Sequence, residues 1–238
     1  MATINLLYKT EYAINDKIKL RIPTVGEVID NEESYYGLVN TFTAMPIDFM
    51  VMLDDNGIDF SEVSPFELFM LLFGFIKKMN TDLVFVDLDF SKFELMQDEG
   101  TGEPVFVDMI NDIRIDKKIY EMITNALRYI HSIKKDNRKP ANKEARDFMI
   151  ERARKKEQRD RNRSRHSQIE QLIVAMVNTQ QYKYDFESTR NLTIYQFNES
   201  VEQVIKKVDY ENRMHGVYYG TLDVKNLKKD ELNWLVHK

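Results

Sequence analysis

Asp87 and Asp89 stand two residues apart in a stretch that alternates apolar and polar positions, which puts both carboxylates on one face of a strand. A metal ion would use such a pair, but no histidine or third acid accompanies it at a ligand spacing, and a solvated strand face is the stronger reading. The DDNG turn at 54–57 invites a calcium reading. Aligning Gly57 with the obligatory glycine of a calcium-binding loop places Met52 and Val63 at the two most important ligand positions, so a plain turn is expected. The EGTGEP run at 99–104 lacks the lysine, third glycine and helix start of a phosphate loop and reads as a hairpin tip. His131, His166, His215 and His237 lie in four different segments without metal or catalytic spacing, and each reads as a surface or helix-end histidine. Cysteine is absent, which removes thiolate zinc sites, disulfides and cysteine nucleophiles. The sequence thus assigns no catalytic residue, no metal and no cofactor, and the chain reads as a non-enzyme.

Binding through charge is the remaining direct chemistry. Between Lys134 and Arg165 there are 14 Lys and Arg against 6 Asp and Glu, whereas the rest of the 238-residue chain carries 20 against 33. The candidate phosphate contacts are Lys134, Lys135, Arg138, Lys139, Arg152, Arg154, Lys155, Lys156, Arg159, Arg161, Arg163 and Arg165. Acids interleave with them, Phe148 is the sole aromatic, and the whole chain is acidic at net −5. A charged helical or flexible connector is therefore favoured over a nucleic-acid arm.

The elements around this segment follow from periodicity and caps. Ile18, Leu20 and Ile22 alternate in a strand over 12–22 that Pro23 stops. Thr24 with Glu27 can cap a short helix, and 45–53 has helical spacing. Ser64, Pro65 and Glu67 announce a helix that is apolar almost all round and belongs inside a core. Residues 84–90 read as a strand with Val84, Val86, Leu88 and Phe90 on one side. Two further strands flank a turn at Asn111 and Asp112, and Asp116 caps an amphipathic helix. After the basic segment, Ser164 or Ser167 can cap a helix carrying Ile169, Leu172, Ile173, Met176 and Val177. A polar and aromatic loop over 178–191 follows. Thr193 and Gln196 then box a longer helix with Phe197, Val201, Val204, Ile205 and Val208 as core positions and Gly216 as its C′ residue. The expectation is an α+β domain at 1–133, with short antiparallel strands plus helices, a basic connector at 134–167 and a small α-helical module at 168–238. The apolar run at 66–76 is shorter than the roughly 20 residues that cross a bilayer, so a soluble cytoplasmic protein without membrane contact is expected.

The stretch from IPTVGEVIDNEESYYGLVNTFTAMPIDFMVML to SPFELF, together with TIYQFNESVEQV and GVYYGTLDVKNLKKDELNWL, resembles tail assembly chaperones encoded in the tail gene region of bacteriophages and prophages of Gram-positive hosts. The likeness covers about half of the chain. It implies a non-virion factor that binds the tape measure protein and helps recruit tail tube subunits, with a tail or baseplate component retained in the particle as the alternative. The resemblance carries no residue-level motif. Aromatics of the terminal module that its own core cannot cover, Tyr195, Phe197, Tyr218, Tyr219 and Trp234, are the candidate partner contacts.

Overall fold

Asn15 turns the first alternating run back on itself, because its side-chain oxygen accepts hydrogen bonds from the backbone N–H groups of Lys17 and Ile18. In the computed structural model, which describes residues 5–161 and 167–235, the result is a hairpin rather than one strand. β1 (Glu11–Ala13) pairs antiparallel with β2 (Lys19–Arg21), with Tyr12 opposite Leu20. Ile18, Leu20 and Ile22 are all buried, as the period-two pattern requires. The Thr24 and Glu27 capping box opens α1 (Val25–Asp30), and the chain continues into α2 (Glu32–Thr43). The helix expected over 45–53 is split into a 3-10 turn at Pro46–Phe49 and α3 (Met50–Asp55).

α4 (Pro65–Ile76) forms with the anticipated Ser64 and Glu67 box. It separates two apolar clusters, which accounts for most of its apolar surface, although Leu71 and Phe75 stay exposed on a third face rather than inside a core as expected. Phe66, Phe69, Phe73 and Ile76 face the main core, whereas Leu68 and Leu72 face a second cluster with Ile47, Leu53 and Phe60. Within the main core Phe69 packs against Phe42, Phe106 and Tyr120 with ring centroids 4.7–5.2 Å apart.

The strand expected over 84–90 shrinks to β3 (Phe85–Val86), which joins β2 as the third strand of the first sheet. Asp87 ends it by taking a left-handed backbone conformation with φ 54°, and Phe85, expected to point outward, is buried. β4 (Glu94–Gln97), β5 (Pro104–Asp108) and β6 (Ile113–Ile115) form an antiparallel meander, with Leu95, Phe106 and Ile115 in register. The 99–104 run is its first hairpin tip. Asp116 caps α5 (Lys117–His131) through the Ile119 N–H.

The basic segment contains α6 (Lys143–Arg161), entered through Asn142, whose side chain accepts from the Ala145 N–H. Ser167 caps α7 (Gln168–Val177); Ser164 lies outside the described residues. The loop expected over 178–191 contains α8 (Phe186–Asn191), which starts at an Asp185 and Ser188 box too short to announce itself by periodicity. α9 (Ile194–Tyr218) then begins at the predicted Thr193 and Gln196 box. Its N-terminus joins the front of the chain directly. Thr24 and Thr193 form an antiparallel bridge, and Ile194 donates to the Pro23 carbonyl at 2.8 Å. Ile169, Ile173, Met176, Ile194, Tyr195 and Phe197 belong to the same apolar cluster as Leu20, Phe42 and Ile123, so residues on both sides of the expected divisions share one core. The architecture is α+β, with two small antiparallel sheets in the first half and helices throughout. Among the described residues no single helix is long and apolar enough to cross a membrane.

Candidate partner-binding site

The five aromatic candidates separate into two groups. Tyr195 and Phe197 are 6% and 0% exposed, which removes them as partner contacts. Tyr195 stacks on Tyr129 of α5 at 5.8 Å, and Phe197 meets Tyr182 of the same expected module edge-on; both belong to the core shared with the first half of the chain. Tyr218 and Tyr219, at the far end of α9, are 83% and 82% exposed, and Trp234 is 46% exposed.

This second group sits on a unit without a core of its own. From residue 198 to 235 no residue is buried, although the stretch includes Val201, Val204, Ile205, Val208, Leu222, Val224, Leu232, Trp234 and Leu235. Ile205, expected inside, is exposed. The main core grips the first turn of α9 and continues to Val201 and Val204, which pack half-buried against it; further along, the chain after the helix returns along its side. Gln203 donates to the Trp234 carbonyl at 2.7 Å, Lys206 donates to the Asp230 carbonyl at 2.8 Å, and the Lys207 ammonium lies 6.0 Å from the Trp234 ring. Gly216 is not the C′ residue. The helix runs past it to Tyr218, and Gly220, with φ 73°, takes the left-handed position. Gly216 instead admits Leu222, whose Cδ1 would lie 2.7 Å from a Cβ added there.

The basic segment answers to acids of its own chain. Arg138 folds onto Asp136, while Lys134, Lys135 and Lys139 are exposed in irregular chain. On α6, Arg146 pairs with Asp59, and Arg154 reaches Asp54 and Asp55 at 2.7 and 2.6 Å. Ser61 donors and then Arg146 hold the Asp59 carboxyl below the usual carboxylate range. Ile150 is buried between the two arginines in the second apolar cluster, and covering such a side chain stabilises by ~1.5–3 kcal/mol. Lys155 pairs with Glu151 along the helix, and Arg152, Lys156, Arg159 and Arg161 are exposed. Arg163 and Arg165 lie outside the described residues, as do His166 and His237. Sequence reasoning saw the basic segment and the acidic remainder of the chain but had no means of choosing Asp54, Asp55 and Asp59. The DDNG turn that looked like a failed calcium loop supplies two of the three.

Asp87 and Asp89 border an open depression of about 740 Å³ that Arg21, Asp82 and Lys92 also line. Asp89 is used locally: it accepts from Ser91, which with Lys92 holds its carboxyl below the usual range. Among the described residues no group of three or more His, Cys, Asp or Glu is placed to hold a metal ion.

His131 ends α5 as a helix-end histidine, yet its ring is interior. Tyr35 Oη lies 3.0 Å from its Nε2, its Nδ1 has no hydrogen-bond partner, and burial lowers its pKa to about 4. Burial also pushes the Tyr35 hydroxyl well up and that of Tyr36 to about 12.

The family described as the YomV second domain matches residues 155–237. No curated protein and no solved structure matches the chain. The matched segment starts in the last turns of α6 and takes in α7, α8, α9 and the returning chain, so it contains the whole coreless unit with Tyr218, Tyr219 and Trp234.

Proposed function

We propose that this chain is a non-enzymatic assembly factor of a bacteriophage tail that binds helical segments of a tape measure protein, tail tube subunits, or both. The observation that carries the reading is the surface of the 198–235 unit, where apolar and aromatic side chains stand exposed on a helix whose own residues do not bury them. Exposed apolar and aromatic side chains gathered on one unit mark surfaces that meet partners. The likeness to phage tail chaperones supports the reading, as does the match to a domain of YomV, a protein of a Bacillus prophage region. Nucleic acid is the weaker reading, because Arg146 and Arg154 are engaged by Asp54, Asp55 and Asp59, and Glu144, Asp147 and Glu151 share the outer surface of α6.

Co-expression with a phage tape measure protein tests this function. The wild-type chain should co-purify with that protein, and a Tyr218→Ser, Tyr219→Ser, Trp234→Ala chain should leave it behind while folding normally. A folded wild-type chain that retains no tail protein would refute the reading. Mass spectrometry of purified particles separates an assembly factor, which is absent from them, from a component that stays.

A further inference from the structure

α6 lies over a groove whose chemistry is more general than α6 itself. The floor is the second apolar cluster, where Leu53 of α3 and Leu68 and Leu72 of α4 are surrounded by Met45, Met50 and Met52. Methionine adapts to differing apolar shapes and recurs on surfaces that accept varied helices. The rim is acidic, formed by Asp54, Asp55 and Asp59. Into this site α6 puts one buried residue, Ile150, with Arg146 four positions before it and Arg154 four positions after. That spacing sets the three side chains on one helix face, so each arginine meets a rim carboxylate while Ile150 meets the floor. Met149 packs half-buried beside Ile150, the outer face of α6 is solvated, and residues 133–140 before it have no regular structure. Beside the connector an open groove of about 340 Å³ remains, lined by Met45, Ile47, Phe60 and Val63 together with residues 136–139.

We propose that this groove is a docking site for a basic amphipathic helix of a partner protein, and that α6 is the resident occupant which the partner displaces. The rim and floor define the ligand: an aliphatic or methionine residue at the centre, Arg or Lys four residues to either side, and a further apolar residue to fill the space α6 leaves open. Charge complementarity selects a basic helix over an acidic one. Assigning the partner to a phage tail rests on the function proposed above; the groove and its displaceable helix do not.

The test uses the full chain and a fluorescein-labelled peptide of residues 142–161, the groove's own occupant. In wild type the tethered copy competes with the peptide. The Arg146→Glu, Arg154→Glu chain, checked for fold by circular dichroism, should bind the peptide at least tenfold more tightly than wild type does. Adding Asp54→Lys, Asp55→Lys and Asp59→Lys should take that gain away, because the rim then repels the peptide's arginines and re-engages the substituted α6. If the first variant does not fold, Ile150→Gln releases α6 without altering charge and should show the same gain. Equal peptide affinity for wild-type and released chains overturns the proposal, as does binding indifferent to the rim charges. Dimers formed by exchanging α6 between two copies also overturn it. Failure of both released chains to fold would do so too, since a displaceable helix cannot be required for the fold. Loss of tail-protein binding with peptide binding intact would count against the assembly function alone.

Discussion

α4 and α6 solve the same problem by opposite means. α4, with 12 residues, has Phe and Leu on nearly every side and stands between two apolar clusters. α6 is longer, with 19 residues, buries only Ile150, and is positioned by Arg146 and Arg154 against acids of α3 and the loop after it. Burial is non-directional and resists both salt and competing partners, whereas ion pairs that keep access to solvent, as those of Arg154 do and that of Arg146 does in part, are weaker, screened by salt and exchangeable for other charged partners. The difference divides the molecule into a frame and an attached, replaceable helix. The 198–235 unit lies nearer to α6 in this respect, being fastened by side-chain contacts to backbone and by half-covered apolar residues.

The largest expected effect tests that division directly. Phe69→Ala removes a ring packed on three aromatic neighbours and should cost ~3–5 kcal/mol in urea unfolding, while Ile150→Ala should cost clearly less, near the lower end of the ~2–5 kcal/mol range for buried Ile. Equal losses would place α6 in the frame.

Acid should act on the frame before it acts on α6. The folded-state pKa of His131, about 4, lies below the 6.5 of a free histidine, so the unfolded chain takes up the proton more readily. Stability supported by the neutral ring is present above pH 6.5 and is lost as pH falls from there towards 4, by about 3 kcal/mol over the window. His131→Gln should flatten the slope in denaturant titrations across that range. The α6 carboxylate partner Asp59 keeps its charge through the same window, since its pKa is lowered by Ser61 and Arg146. A slope unchanged in the His131 variant would assign the acid sensitivity elsewhere.

A smaller effect concerns how α4 starts. Ser64→Ala removes the acceptor for the Glu67 N–H and should cost ~1 kcal/mol with no change in partner binding, because the cap sits on the frame.

Which parts of this fold could be read from sequence follows the range of the interaction that fixes them. The capping residues Thr24, Ser64, Asp116, Ser167 and Thr193 all act as anticipated, since a cap is decided within three residues. The 84–90 strand failed at Asp87, whose left-handed backbone no pattern of apolar residues signals. Tyr195 and Phe197 were misjudged because Tyr129 and Tyr182, which cover them, lie in α5 and in the loop before α8. The placement of α6 was half legible: its charge and its character as a helical or flexible connector were visible, but its docking on Asp54, Asp55 and Asp59 depends on contacts 87 to 100 residues apart.

Amide hydrogen exchange of the intact chain at low and high sodium chloride compares the two helices in one measurement. The α4 amides should be strongly protected and indifferent to salt, whereas the α6 amides should exchange at least tenfold faster and faster still as salt screens Arg146 and Arg154. Protection of α6 equal to that of α4, unchanged by salt, would contradict the account.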